Sequence, residues 1–222
     1  VDILASYFDH YVGSTGSTVN TPKVLNTAFH DSRAQIIYTA AEMGGRPMLL
    51  SNIFFLRVTT GGQNLLNFKV RMKHAGFSSF DGRSWEEDGW TTVYTSANLS
   101  ASSSFLGTFQ KLFAYDGVRN LMIDVSFDNT SASTAGTIRH VAATGNRMLS
   151  GTSNSAHGDP TTWTTLSGPT PVISNEVPVF GFYEARSLGE IPASPVAFSS
   201  GVWSGQAAGP LSGWLRATAP SG

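Results

Sequence analysis

Three acidic residues in a row, Glu86-Glu87-Asp88, stand between Trp85 and Trp90. Two carboxylates facing each other across a cleft at roughly 5–10 Å can hydrolyse a glycosidic bond, and several oxygen ligands gathered around one point can hold calcium. Adjacent residues of an extended chain point apart, however, so the run reads as a solvated charged loop. His30-Asp31 with Arg33 has the residue types of an acid/base pair, and the same alternation makes it the polar start of a strand. His10, His74, His140 and His157 have no histidine two or four positions away, so a zinc site would have to be assembled from distant loops. The chain has no cysteine, which excludes disulfides, thiolate metal sites, iron–sulfur clusters and a cysteine nucleophile. No phosphate-binding glycine loop, dinucleotide fingerprint, His-Glu-x-x-His or Gly-x-Ser-x-Gly motif occurs. No catalytic residue is expected, and the chain reads as a non-enzyme.

Binding chemistry has more candidates. Asp116, Asp128 and Asp159, with Asn129 beside them, are oxygen ligands in loops, the types that a structural calcium uses; turn-forming Asp and Asn explain them equally well. No other cofactor is expected. Trp85, Trp90 and Trp163 lie beside turns, where an exposed ring could stack on a sugar face; a buried core role is the commoner alternative for tryptophan. Asn98-Leu99-Ser100 and Asn129-Thr130-Ser131 fit the N-glycosylation pattern, which is frequent by chance.

The elements that must position these residues are strands. In Leu66–Ala75 the residues Leu66, Phe68, Val70, Met72 and His74 alternate with Asn67, Lys69, Arg71 and Lys73, which predicts a half-buried strand with a basic outer face. Asn120–Phe127 repeats the pattern, with Leu121, Ile123, Val125 and Phe127 inward and Asp124 and Ser126 outward. Further strands are predicted at 34–40, 50–58, 90–96, 105–113, 137–142, 147–150 and 177–184, separated by turns such as Asp81-Gly82 and Asp116-Gly117. Ala34–Met43 could also be a helix ending at Gly44-Gly45, but its β-branched and aromatic residues favour a strand. Nine short strands predict an all-β, antiparallel sandwich or jelly roll.

Composition agrees. Only 13% of the 222 residues are charged, whereas 28 Ser, 22 Thr and 23 Gly make the exterior largely hydroxyl and backbone, as in β-rich extracellular proteins. A net charge of -1 provides no electrostatic footprint for nucleic acid and no polybasic membrane anchor. The longest apolar runs fall far short of the roughly 20 residues of a spanning helix. The first residue is Val1, which fits a mature form or a fragment.

Five stretches, FHDSRAQIIYTAAEMGG (29–45), LNFKVRMKHAGFSSF (66–80), WTTVYTS (90–96), FAYDGVRNLMIDVSFDNTS (113–131) and GDPTTW (158–163), resemble a jelly-roll-like β-sandwich module of large exported bacterial surface proteins. The resemblance covers about residues 28–184 and implies a structural module without a catalytic set. The end of the chain resembles the start of an Ig-like repeat, matched at Phe198, Gly201, Val202, Trp203, Gly205, Leu215, Arg216, Ala217 and Thr218. Three regions follow: an extended N-terminal segment and linker over 1–28, the sandwich over 29–186, and an extended C-terminal segment over 187–222. In Val1–Val12, Val1, Ile3, Ala5, Tyr7 and Tyr11 alternate as in a strand that could be donated to a neighbour across the Gly13–Thr18 linker, and head-to-tail donation builds a fibre. The expected function is therefore a secreted or cell-surface structural protein joined to copies of itself or to neighbouring modules. Val1, Ile3, Leu4, Tyr7 and Phe8 are the expected donor residues, and Trp203, Trp214 and Leu215 the anchors of the tail. The alternative is a carbohydrate-binding module of a secreted enzyme or adhesin, using Trp85, Trp90 or Trp163 on glycans.

Overall fold

A computed structural model of the chain describes residues 4–12, 18–82, 84–100, 105–154 and 157–187. These belong to one compact unit, Val1–Glu190, while a second unit, Ile191–Gly222, lies outside the described residues. Trp203, Trp214 and Leu215 of the expected tail anchor fall there, as Val1 and Ile3 fall before the first described residue.

The fold is all-β. Its strands are β1 (Leu4–Val12), β2 (Thr18–Thr21), β3 (Asp31–Tyr38), β4 (Met48–Phe55), β5 (Arg57–Thr59), β6 (Leu65–Ala75), β7 (Thr91–Leu99), β8 (Phe105–Tyr115), β9 (Asn120–Asp128), β10 (Thr137–Ala142), β11 (Met148–Ser153), β12 (Val172–Ser174), β13 (Glu176–Pro178) and β14 (Phe180–Ser187). They form a six-stranded sheet ordered β12-β11-β3-β9-β6-β7, a four-stranded sheet ordered β1-β14-β4-β8, and a small sheet β13-β10-β2 to which β5 adds. All the pairings are antiparallel. The antiparallel sheets pack against each other as a sandwich.

The core between the two large sheets follows the period-2 alternation. Ala34, Ile36 and Tyr38 from β3, Phe68, Val70 and Met72 from β6, and Leu121, Ile123, Val125 and Phe127 from β9 meet Leu50, Ile53 and Phe55 from β4 and Phe180 and Phe182 from β14. The phenyl rings of Phe55 and Phe180 lie 4.6 Å apart between centroids, and the Tyr38 hydroxyl donates to the Pro178 carbonyl at 2.7 Å. The 34–43 segment resolves as strand through Tyr38 and then as turns to Gly45, so its helical reading is set aside. At the start of β6 the predicted phase is one residue out. Leu65, not Leu66, enters the core, because Asn67 has φ 49°, a left-handed backbone that shifts the alternation before Phe68.

The six-stranded sheet is covered on both faces. Every residue of β3 is buried, and β9 is buried from Leu121 to Phe127. Two long connections, 76–90 and 154–171, contribute Phe77, Phe80, Trp85, Trp90 and Trp163 to a second apolar cluster with Ile37, Met122 and Leu149. The second connection contains a short 3-10 turn, Pro160–Thr162, capped by Asp159. Near β9, Asp116 accepts from the Val118 and Arg119 amides, each at 3.0 Å, and Gly117 closes the turn at φ 74°. A Cβ on Gly117 would sit 2.3 Å from the Arg46 carbonyl carbon and 2.5 Å from the Pro47 nitrogen. Gly117→Ala combines that clash with a left-handed backbone, and is expected to cost about 2–4 kcal/mol. Urea unfolding of the variant measures it; a loss below about 1 kcal/mol would show that the 46–47 backbone yields.

Candidate functional site

The basic face predicted for β6 exists, and each of its cations has an acidic partner. Lys69 pairs with Asp159, Arg71 Nη2 lies 3.0 Å from Asp124 Oδ2, and Lys73 Nζ lies 2.8 Å from Glu86 Oε2. Asp124 is wholly buried and also receives Arg33 Nε at 2.8 Å and Gln35 Nε2 at 2.9 Å. Arg33, equally buried, carries its other donors to the Trp163 carbonyl at 2.8 Å and the Glu86 carbonyl at 3.2 Å, with its guanidinium 4.7 Å from the Trp85 ring centroid. One guanidinium thus ties the sheet to both covering connections. Burial pushes the Arg33 guanidinium downward, and the neighbouring Asp124 charge opposes that.

This arrangement corrects the tryptophan reading. Trp163 is fully buried and Trp85 is 3% exposed, so neither offers a ring face to a sugar. Turn-adjacent tryptophans look exposed in a sequence, but here the connections that carry them fold back onto the sheet. Trp90 is half-buried; its indole donates to the Glu86 carbonyl at 3.1 Å, and Arg71 and Lys73 lie 5.3 and 4.8 Å from its ring centroid. Glu86 is therefore a structural partner of Lys73, whereas Glu87 and Asp88 are exposed.

The calcium candidates do not converge on one centre. Asp116 is paired with Arg119 at 2.6 Å and holds its own turn, and these hydrogen bonds keep its carboxyl well below the usual carboxylate range. Asp159 accepts from the Thr161 amide at 2.9 Å and the Thr161 hydroxyl at 2.7 Å, and with Lys69 they depress its pKa against the effect of burial. Among the described residues, no three His, Cys, Asp or Glu side chains are placed to hold a metal ion. Asn129 is buried, with its amide bonded to the Leu66 N–H and the Asn64 carbonyl, so its glycosylation pattern is inaccessible; Asn98 is exposed on β7.

Asp128 does have an acidic neighbour. It stands opposite Asp31 across the β3–β9 pair, and Asp31 is 5% exposed. Burial, followed by the hydrogen bond to Asp128 and its charge, raises Asp31 to about 7. Asp128 and Asp159 also line a cleft of about 340 Å³ with Asn67, Lys69, Thr95, Ser96 and Ala97. Four separate stretches of chain meet there, which one-dimensional spacing could not show; the residue that marks it in the sequence is Asn67, a polar turn-former inside a strand.

The sheet margins are treated differently from one another. At the β7 edge, the Gln110 amide accepts from the Thr95 N–H at 2.9 Å and donates to the Thr95 carbonyl at 2.8 Å, filling backbone positions that another strand would use. At the opposite end of the sandwich, β1 is the marginal strand of its sheet. It pairs with β14 from Leu4↔Ser187 to Val12↔Phe180, with a bulge between Phe8 and His10. Leu4, Tyr7 and Phe8 of the expected donor strand thus lie on the chain's own β14. The 1–28 segment also contributes β2 to the small sheet, against β10.

Among the described residues, no helix is long and apolar enough to cross a membrane. No family model, curated protein or solved structure matches the chain.

Proposed function

We propose that the protein is a non-enzymatic structural module of an extracellular fibre or surface stalk, joined to its neighbours by exchange of β1. The observation that carries this reading is the β1–β14 pair. Among the described residues β1 bonds to β14 alone, at the margin of its sheet, and β14 keeps β4 on its other side. Removing β1 leaves β14-β4-β8 in place, with an open edge that accepts the same segment of another copy in the same register. Gly13-Ser14-Thr15-Gly16-Ser17, a sequence with little side-chain bulk, joins β1 to β2. Because the donor and acceptor surfaces differ, each copy can give its β1 to one neighbour and receive β1 from another, and a fibre results where the exchange runs head-to-tail rather than closing as a reciprocal dimer. The β7 margin is plugged at Thr95 by Gln110, which favours the β1 end of the sandwich for exchange. The tail residues Trp203, Trp214 and Leu215 are proposed as auxiliary anchors in the assembled chain.

Deleting residues 1–12 tests the reading. The truncated chain is expected to stay folded by circular dichroism, to be monomeric by light scattering, and to bind a synthetic peptide of residues 1–12. Filaments formed by the truncated chain would overturn the proposal, as would a full-length chain that remains monomeric at high concentration.

A further inference from the structure

The cleft on the outer face of the six-stranded sheet brings side chains of four stretches together with hydrogen-bonding capacity left over. We propose that it binds a neutral sugar residue, through Asp128, Asn67 and Lys69. This goes beyond a structural role and moves the glycan contact away from the tryptophans.

The charges come first. Asp159 is neutralised by Lys69 and engaged by Thr161, so the acidic wall and the cation beside it already answer each other. An anion entering the cleft meets Asp128 and Asp159; a cation meets the Lys69 ammonium. The groups that remain are neutral or directional. Asp31 retains its proton to about pH 7 behind Asp128 and donates it across the strand pair, leaving the other Asp128 lone pairs to accept from a ligand. Asn67 makes no side-chain hydrogen bond within the described residues and is exposed at the cleft in its left-handed conformation, whereas Ser96 stands opposite the core residue Phe68 and turns its hydroxyl to the inner face. Amide, ammonium and carboxylate together supply donors and acceptors at short spacing, which matches the adjacent hydroxyls of a sugar ring. Phe68 lies at the cleft but its ring is in the core, so no aromatic wall invites an apolar ligand. The volume lies at the low end of the ~300–1,000 Å³ typical of ligand pockets, which suits one or two sugar residues.

The test is nitrogen–proton correlation NMR on the full chain, titrated separately with the methyl glycosides of glucose, galactose, mannose and N-acetylglucosamine, and with calcium chloride and sodium phosphate. At least one glycoside is expected to give saturable shifts centred on the amides of Asn67, Lys69, Ser96 and Asp159. In Asn67→Gly, which keeps the left-handed backbone, and in Asp128→Ala the same titration is expected to weaken at least five-fold, while Trp90→Ala leaves it unchanged. Should Asp128→Ala fail to fold, Asn67→Gly decides. Saturable cleft shifts with calcium or phosphate and none with the glycosides would overturn the proposal, as would shifts lost in Trp90→Ala or the absence of saturable shifts with every glycoside. Light scattering on the same samples reports strand exchange separately, so failure of one reading leaves the other standing.

Discussion

Asp124→Ala is expected to remove about 3–5 kcal/mol of stability, the range for stripping one partner from a buried ion pair. The residue is wholly buried, and a single oxygen, Oδ2, accepts from Arg33, Gln35 and Arg71. Without it the Arg33 guanidinium stays wholly buried with two carbonyls and the Trp85 ring but no countercharge. Urea unfolding at pH 7 measures the loss, against the roughly 5–15 kcal/mol that a domain has in total. The double variant Arg33→Met with Asp124→Leu removes both charges and is expected to lose less than Asp124→Ala alone. A single variant within about 1 kcal/mol of the parent would mean that water reaches Arg33 and that the covering connections open readily.

The second large effect is a pH dependence that the parent protein conceals. Asp31, raised from 3.8 to about 7, is protonated in the fold where the unfolded chain has already released its proton. Between about pH 4 and 7 the folded state therefore binds more protons at this group, and its contribution to stability falls as pH rises. His140 acts in the opposite direction. It is fully buried, its Nδ1 lies 3.0 Å from the Ile138 carbonyl and 3.1 Å from Thr21 Oγ1, and its Nε2 has no partner among the described residues. Burial lowers it from 6.5 to about 4, so between those values the unfolded chain binds more protons and stability rises with pH. The two slopes oppose each other across the same window. Thermal melts of the parent should change little from pH 4.5 to 6.5. Asp31→Asn removes one slope, and its melting temperature is expected to climb with pH there and to exceed the parent's above pH 7. His140→Gln removes the other and should melt progressively lower as pH rises from 4.5 to 7. Parallel curves for all three proteins would overturn both assignments.

Much of the sandwich was legible from alternation alone. β9, and β6 from Phe68 onward, read correctly because polar and apolar residues take turns, and the inward set of β9 is the one observed in the core; the first residues of β6 did not, because the left-handed Asn67 shifts the phase. Asp124 and Lys69 read as outward, and so they are; the sequence could not show that the outward face is roofed over. That roof comes from connections with little periodicity, and it converts Trp85 and Trp163 from surface candidates to core. β2, β5, β12 and β13 are three or four residues long, too short for a pattern to register. The cleft and the Arg33–Asp124 pair depend on β3, β9 and β6 being neighbours, an order set by long-range pairing.

The β1–β14 pair joins Leu4 to Ser187, positions 183 residues apart. Closing such a loop forfeits more chain entropy than a hairpin does, and topologies dominated by distant pairings fold slowly. β4, β8 and β14 can associate before the first strand arrives, so a nascent molecule passes through an interval in which the β14 edge is open. During synthesis β14 emerges long after β1, which has been waiting for it. Local concentration then decides whether that edge is met by the molecule's own strand or by a neighbour's, and the ratio of single molecules to chains is set by the rate of folding as much as by the final free energies.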